Sequence, residues 1–591
     1  MTLKVLKTVH KAKQIKEADT SGLGLYEIKG SKLYKIGRFG RELLANFFLK
    51  IISERIRFDD DILIERNIDL QIHIIGKQIP LTISSDEFSD ERLMKRIYQA
   101  GGPGLILYGK TKDLRVATQE LSRKNIQTKN VTTSVGFRGD GDFLYPGMLI
   151  TSEGIETCPN EDVDLSGGKF SRQIGFLPPD QSKLPDLGRH LLDNFIELKV
   201  HDVTYPLMGH IVLSPFASWI VRSSGRQKFT VHLQGPSGGS KTFIGNLANA
   251  FFGQFGERCL SWSSTHNSIE AEGHHFRDTL LVVDDYKASI VDPRKMTRIL
   301  QNYANAQGRS RLNSKSQLLR VPYIRGLLLS TGEEFVSDVE SVSGRSIVLK
   351  VGAEQNTEAG AICLDKRHEY RMFLPGLIQM VISDVNWETK FSRFIDIRTR
   401  SFHQKASGIS NGLRIASNWA LNSLGFNLFL RYLWMIDVVD RKRVWDMKHE
   451  YNKIVQEHLE QQSAKLRSQN PVEIFFRILG QKLSAGSTRI LDLLDDPSVP
   501  ATGKIIGKVK KDLVCIFPDA AMEVLVGHYR ALGQRAPFTK ETLKDALARD
   551  GLIVRPKSGR LATQVRFSGI RLQAWQFEIE DFKKHCSFTD E

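Results

Sequence analysis

Long apolar runs are missing from this chain. It has no stretch of roughly eighteen consecutive apolar residues, so no membrane-spanning helix and no membrane partner are expected. Cysteine is scarce. Cys158, Cys259, Cys363, Cys515 and Cys586 lie far apart, with no CxxC pair. That spacing argues against a zinc ribbon or a disulfide framework and points to a reducing, cytoplasmic setting. The N-terminus, MTLKVLKTVHKAKQIKEADT, has basic residues but no apolar core and does not read as a secretory peptide. Low-complexity stretches and fixed-period repeats are also lacking, which excludes a solenoid. Acid is in deficit: 67 Asp and Glu stand against 83 Lys and Arg, for a formal charge of +16. A basic excess of that size points to a polyanion partner, nucleic acid first.

What is present is ordinary for a soluble chain with several cores. The 591 residues, 41% hydrophobic and 25% charged, are enough for about four domains. Gly235, Pro236, Ser237, Gly238, Gly239, Ser240, Lys241 and Thr242 read GPSGGSKT, directly after the apolar run from Phe229 to Leu233. A strand that feeds a glycine-rich turn ending in Lys-Thr is the layout of a phosphate cradle. Its backbone N–H groups point inward at phosphate oxygens. Lys241 would reach the β- and γ-phosphates of ATP, and Thr242 would hold Mg²⁺. The alternative is a Gly/Ser surface turn with a solvated lysine. Ser240 stands where the strict motif has glycine, and a serine is tolerable there if its dihedrals are already helical.

A second segment supports the first. Thr279 to Tyr286 reads TLLVVDDY, an apolar strand ending in two carboxylates. A P-loop ATPase needs a carboxylate at a neighbouring strand tip to anchor Mg²⁺, and often a second to polarise water. Asp284 fits the first role and Asp285 the second. The alternative is a buried strand ending in a solvated acidic turn. About forty residues separate this strand from the glycine loop, room for a helix, a strand and a second helix.

The pattern along the chain predicts an α/β protein of five parts. Residues 1–125 read as a mixed α/β domain, with strands at Lys32 to Ile36 and Ile68 to Ile75 and a helix over Arg41 to Glu54. Residues 126–225 read as a Gly- and Pro-rich connector with a helical lead-in. Residues 226–355 read as the P-loop core, with strands alternating with helices in a parallel sheet. In it Asp292-Pro293 opens a helix. Residues 356–466 read as a helical lid ending in a long helix. Residues 467–591 read as a winged-helix-like domain, with a helix from Thr539 and then a basic hairpin.

These segments resemble those of the AAA+ ATPases of plasmid, phage and cassette-type mobile elements. That family sits near primases and is related to MCM-like and superfamily 3 helicases, and the staphylococcal cassette-chromosome helicases are similar. The resemblance rests on LLANF (Leu43 to Phe47), TTSVGFRGDGDFLYPG (Thr132 to Gly147), GPSGGSKT, SWSSTHNSIE (Ser261 to Glu270), LLVVDD, QGRSR (Gln307 to Arg311) and LLLSTGEE (Leu327 to Glu334). Ser240, and Asp285 where many ring ATPases have glutamate, depart from it. The resemblance implies a polar sensor at Ser330 or Thr331, with the choice open. It implies that Arg345 reaches into a neighbouring subunit's nucleotide, and that Arg414 is a lid arginine that senses nucleotide in the same or the adjacent subunit; a helix-surface arginine is the alternative. It also implies a hairpin that grips single-stranded DNA in a ring pore. Residues 308–325 carry five basic residues and no acid, and Arg309, Arg311, Lys315 and Arg320 would meet phosphates; a solvated basic loop is the alternative. A second acid-free cluster, Arg555 to Arg571, would contact duplex DNA if it is a wing; a protein contact is the alternative.

The expectation is therefore an ATP-dependent DNA helicase acting as a homo-oligomeric ring, a hexamer, beside a primase partner. The alternatives are an ATP-gated DNA-binding loader or scaffold, and a phage-defence ATPase on the same fold.

Overall fold

The computed structural model describes residues 25–586, apart from 60–61, 90–91, 125, 140, 158, 160–161, 166, 223–224, 257–258, 308–310, 313–317, 320–321, 336–339, 355, 407–410, 469, 494–502, 532–535, 556–560 and 568. The chain divides into two units, residues 1–149 with 156–167, and residues 150–155 with 168–591.

The first unit is built on β-sheet. Tyr26–Lys29, Lys32–Gly37 and Gly40–Ala45 form an antiparallel sheet of three strands. A second sheet has the order Asp162–Val163, Gln127–Thr132, Phe48–Asp59, Ile62–Ile74, Lys77–Ser84. Helices Leu93–Gly101 and Thr111–Ser122 bury Leu93, Ile97, Leu114 and Ala117 in the same core as Phe47, Leu49 and Ile72. The helix expected over Arg41 to Glu54 is not formed. That segment is the end of one strand and the start of another, in two different sheets. Asn46 pins the change of sheet. Its amide donates to the Gly104 carbonyl at 2.9 Å and its side-chain oxygen accepts from the Ile106 N–H at 2.8 Å. Each strand has a period of two, and the break at Asn46 shifts the phase. Leu43, Leu44, Phe47, Phe48 and Ile51 thereby acquire a spacing that imitates a helix.

The second unit holds a parallel sheet in the order Leu260–Ser261, Leu280–Tyr286, Leu327–Gly332, Thr230–Gln234, Ser346–Lys350. Its three longest strands are buried almost throughout, as a sheet covered on both faces requires. Helices Lys241–Asn249, His266–His275 and Pro293–Ala304 connect the strands. Asp292 caps the last of these by accepting from the Arg294 N–H. Between that helix and the strand Leu327–Gly332, Arg311–Leu312 pairs antiparallel with Leu318–Leu319 in a short hairpin.

The helices Thr357–Lys366, Phe373–Ile382, Trp387–Lys405, Gly412–Met435 and Arg441–Ser468 follow. The C-terminal region surrounds helix Pro471–Ser484 with a five-stranded sheet and further helices. Thr539 caps the helix Lys540–Arg549 through its side chain. Thr563–Phe567 and Ile570–Glu578 then form a hairpin in which Arg566 stands opposite Arg571, both exposed. Among the described residues no helix is long and apolar enough to cross a membrane.

Candidate functional site

The glycine loop leaves the C-terminal end of the strand Thr230–Gln234, in the middle of the parallel sheet. Backbone crowding fixes its composition. A Cβ on Gly235 would lie 2.2 Å from the Val351 carbonyl oxygen, and Gly238 sits at φ +81°. Ser240 does not meet the condition under which a serine is tolerable at this place. It does not have right-handed helical dihedrals but lies in the left-handed region, at φ 62° and ψ 18°, just before helix Lys241–Asn249. The positive φ explains why the strict motif has glycine there. A side chain in this conformation costs about 1–2 kcal/mol. The Lys241 ammonium donates to the carbonyl of Pro236 at 2.6 Å. Burial pushes its pKa below the usual lysine range, against the opposing pull of Glu333, Asp284 and Asp285.

The acid strand brings its carboxylate to the same end of the sheet. The Thr242 hydroxyl lies 3.0 Å from both carboxylate oxygens of Asp284. The next strand, inserted between the glycine-loop strand and the acid strand, supplies Thr331, whose hydroxyl donates to Asp284 Oδ1. Thr331 Oγ1 also accepts from the backbone N–H of Asp285 at 3.1 Å. Asp285 is at φ 61°, on a bulge between Val283 and Tyr286. Its side chain is 57% exposed and lies 3.6 Å from Lys287.

Adjacent residues of a strand face opposite ways, so Ser330 and Thr331 part company. Ser330 is fully buried. Its hydroxyl accepts from the Trp262 indole at 2.9 Å and lies 2.8 Å from His232 Nδ1. His232 Nε2 is 2.9 Å from the Glu334 carbonyl, which can only accept. Nε2 therefore carries the proton, and Ser330 donates to Nδ1. Burial holds this imidazole neutral, with a pKa pushed down to about 3. Trp262 is packed, and Lys295 ties its carbonyl at 2.6 Å.

Sequence reasoning assigned no role to His232, Lys287 or Glu333. Lys287 bridges Asp285 and Glu333, the latter at 3.2 Å. The Glu333 carboxyl is held below its ordinary range by Lys287 first and by a hydrogen bond with Ser237 of the glycine loop. A histidine inside an otherwise apolar strand, and an acid one residue past a strand tip, were the available signals.

Arg345 lies at the other end of the same sheet. Its carbonyl accepts from the Thr230 N–H at 3.0 Å, and it precedes Ser346, which pairs with Thr230. Gly235 follows Gln234, five positions along that strand, about 16 Å away at the usual rise. Arg345 therefore cannot serve its own glycine loop. Its guanidinium is 3.5 Å from Asn305 Oδ1. Burial first, then Arg414, pushes its pKa down. Arg414 thus lies at this far end as well. It donates to Asn411 Oδ1 at 2.9 Å, and Asn418, one turn further on, donates to the Gly344 carbonyl at 3.1 Å.

Of the basic residues expected to meet DNA, Arg309, Lys315 and Arg320 lie outside the described residues. Arg311 is in the first strand of the hairpin. In the C-terminal cluster Lys557 and Arg560 lie outside them too. No cluster of three or more His, Cys, Asp or Glu side chains that could hold a metal occurs among the described residues.

A family described as a domain of unknown function, DUF927, matches residues 190–321. That span includes the glycine loop and the acid strand and ends before the strand carrying Thr331. No curated protein matches the chain. Among solved structures, an active helicase, the Cch protein of SCCmec type IV, is similar with a TM-score of 0.61 and 14% identity, over 96% of this chain and all of that one. The A-form apo structure of the C-terminal region of NrS-1 has a TM-score of 0.29 and 10% identity, over 88% of this chain and 96% of that one. The likeness to the cassette helicase, at its low identity, is one of fold.

Proposed function

We propose that this chain is an ATP-driven DNA helicase or translocase that works as a ring, a hexamer, in the replication of a mobile genetic element. One observation carries the reading. Lys241, Thr242, Asp284 and Thr331 share one end of a parallel sheet, while Arg345 and Arg414 share the other. A complete phosphoryl-transfer site needs both sets, and two copies of the chain can combine them. The fold likeness to a helicase of a cassette element supports the same reading.

The donor set suits magnesium and a nucleoside triphosphate. A hydroxyl and a carboxylate 3.0 Å apart form the usual partial protein shell for Mg²⁺, which takes its remaining ligands from water and phosphate. A glycine loop with no room for a Cβ at Gly235 leaves backbone N–H groups for phosphate oxygens. When bound, Mg·ATP would supply the transferable γ-phosphoryl group. Gly235 to Thr242 would cradle the phosphates, with Lys241 moving from the Pro236 carbonyl to phosphate oxygens. Thr242 and Asp284 would hold the metal. Asp285 would orient water, and Thr331 would report the state of Asp284 through their shared hydrogen bond. Ser330 would act only through the core. Arg345 would stabilise charge in the neighbouring copy's site, with Arg414 beside it.

In this reading residues 226–355 are an AAA+ core, 356–466 its lid and 467–591 a winged-helix-like domain. The hairpin with Arg309, Arg311, Lys315 and Arg320 grips single-stranded DNA in the pore. The pair Arg566 and Arg571 meets duplex, and a primase works alongside. The second reading, an ATP-gated DNA-binding scaffold without unwinding, is favoured by the strained Ser240 and by the exposed, lysine-paired Asp285.

ATP hydrolysis and strand displacement by wild type, Lys241→Ala and Arg345→Ala separate the two. DNA-stimulated hydrolysis with displacement, lost in both variants, is the expected result. Nucleotide and DNA binding without displacement in the wild type would leave the scaffold.

A further inference from the structure

Three of the helices that follow the core sheet, Trp387–Lys405, Gly412–Met435 and Arg441–Ser468, line a groove of about 480 Å³, of the size that takes one or two side chains of a ligand or a small molecule. It uses none of the residues of the nucleotide reading. Phe391, Phe394, Leu424, Leu428 and Val444 supply an apolar lining, and Trp434, 46% exposed, stands in its wall. Around that lining are four cations, Lys390, Arg431, Arg441 and Lys448; among the described residues no carboxylate lines the groove, although Asp384 at its edge feels the charge of both Lys390 and Arg431.

The cations are unevenly satisfied. Lys390 reaches Asp384 at 2.5 Å. The Arg441 guanidinium lies over the Trp434 ring, 5.9 Å from its centroid. Lys448 is half-buried. Burial first, and then the positive charge of Arg398, pushes its ammonium below the ordinary lysine range. Arg398 is itself desolvated and packs on the Phe402 ring at 4.8 Å. Two partly buried like charges beside an apolar cleft are costly, and an incoming carboxylate would relieve that cost.

We propose that this groove binds a short acidic, amphipathic segment of a partner protein, with one or two large apolar side chains between the helices and carboxylates on Arg431, Arg441 and Lys448. The charge complementarity selects the occupant. A neutral apolar peptide would leave the cations desolvated, and a basic one would be repelled. An apolar face at helical spacing with acids beside it matches both the lining and the rim.

The test is fluorescence anisotropy with the full chain. The probe is a labelled fifteen-residue synthetic peptide carrying Leu and Phe at i, i+3 and i+7 among Glu and Asp. Its counterpart has Lys for every acid. Trp434→Ala and Arg431→Glu change exposed side chains and leave the helical core intact. The acidic peptide should bind, more weakly as salt rises, and each variant should lose roughly tenfold in affinity. The basic peptide should not bind. Equal affinity in wild type and both variants would overturn the proposal. Failure of the acidic peptide to bind wild type would do the same. So would its displacement by dodecanoate or by a single-stranded oligonucleotide at lower concentration, which would assign the groove to a lipid-like anion or to nucleic acid.

Discussion

Replacing Ser330 and replacing Thr331 should damage the protein in opposite ways, although the two residues are neighbours. In Ser330→Ala the Trp262 indole loses its acceptor at 2.9 Å and His232 Nδ1 loses its donor at 2.8 Å. Both groups are buried, and neither is reached by water. Each unpaired buried group costs about 1–3 kcal/mol, so the pair costs roughly 2–6 kcal/mol. Thr331→Val keeps the shape but removes the hydroxyl that donates to Asp284 and accepts from the Asp285 N–H. Asp285 is half exposed, so water replaces part of that loss, and the stability cost stays below about 1.5 kcal/mol. The catalytic cost is larger. If the site transfers phosphoryl groups as proposed, losing one preorganised donor there lowers kcat on the order of a hundredfold. The assay is denaturant unfolding followed by tryptophan fluorescence, beside steady-state ATP hydrolysis at a temperature where both variants are folded. Ser330→Ala should shift the unfolding midpoint and keep turnover within a few-fold of wild type. Thr331→Val should do the reverse. A Ser330→Ala protein with wild-type stability and lost turnover would refute the assignment of the two faces.

Three other outcomes follow from particular contacts. Ser240→Gly removes a strain of about 1–2 kcal/mol and adds a glycine entropy cost of about 0.5–1 kcal/mol, so it should raise stability by a few tenths to about 1 kcal/mol; a lower unfolding midpoint for the glycine variant would contradict the left-handed serine. Lys228 is buried, donates to the Ile324 carbonyl at 2.5 Å and lies over the Tyr303 ring, and burial pushes its pKa from 10.5 down to about 7. Below pH 7 it is charged in both folded and unfolded chain, and the folded state bears the full penalty. As pH rises from 7 towards 10.5 the folded lysine is neutral and the penalty fades, so this group makes stability rise with pH. Lys228→Met should therefore stabilise more at pH 6 than at pH 9, by roughly 2–3 kcal/mol, and an equal gain at both pH values would show that the lysine is not so buried. Lys315→Ala should weaken single-strand binding and flatten its salt dependence while nucleotide binding is kept; unchanged affinity across the salt series would remove the hairpin from the DNA path.

The second unit was legible because its signals are local. A glycine loop must follow a buried strand, so the order of apolar run and Gly-Ser turn placed it without tertiary information. The Asp-Pro cap before Arg294 and the Thr539 cap are likewise contained in a few residues. The failures came from tertiary context. Arg41 to Glu54 imitated a helix because Asn46 hands the chain from one sheet to another, and only the long-range bonds to Gly104 and Ile106 reveal it. The dihedrals of Ser240 stayed open because composition carries no φ. The parting of Ser330 from Thr331 follows from strand alternation, but which side faces the acids depends on Asp284 and Trp262 lying on opposite sides of their neighbour strand. The groove beside Trp434 was invisible in the sequence because its lining comes from three helices.

In the proposed ring a working site combines the glycine loop of one copy with Arg345 of the next. Mixing Lys241→Ala protein with Arg345→Ala protein tests it directly. Each variant alone should lack ATP turnover, yet copies of the first still offer Arg345 and copies of the second still offer the loop. Random assembly of the two should restore roughly a quarter of wild-type hydrolysis. A mixture as inactive as its parts, under conditions where wild-type copies assemble and hydrolyse ATP, would contradict the shared site.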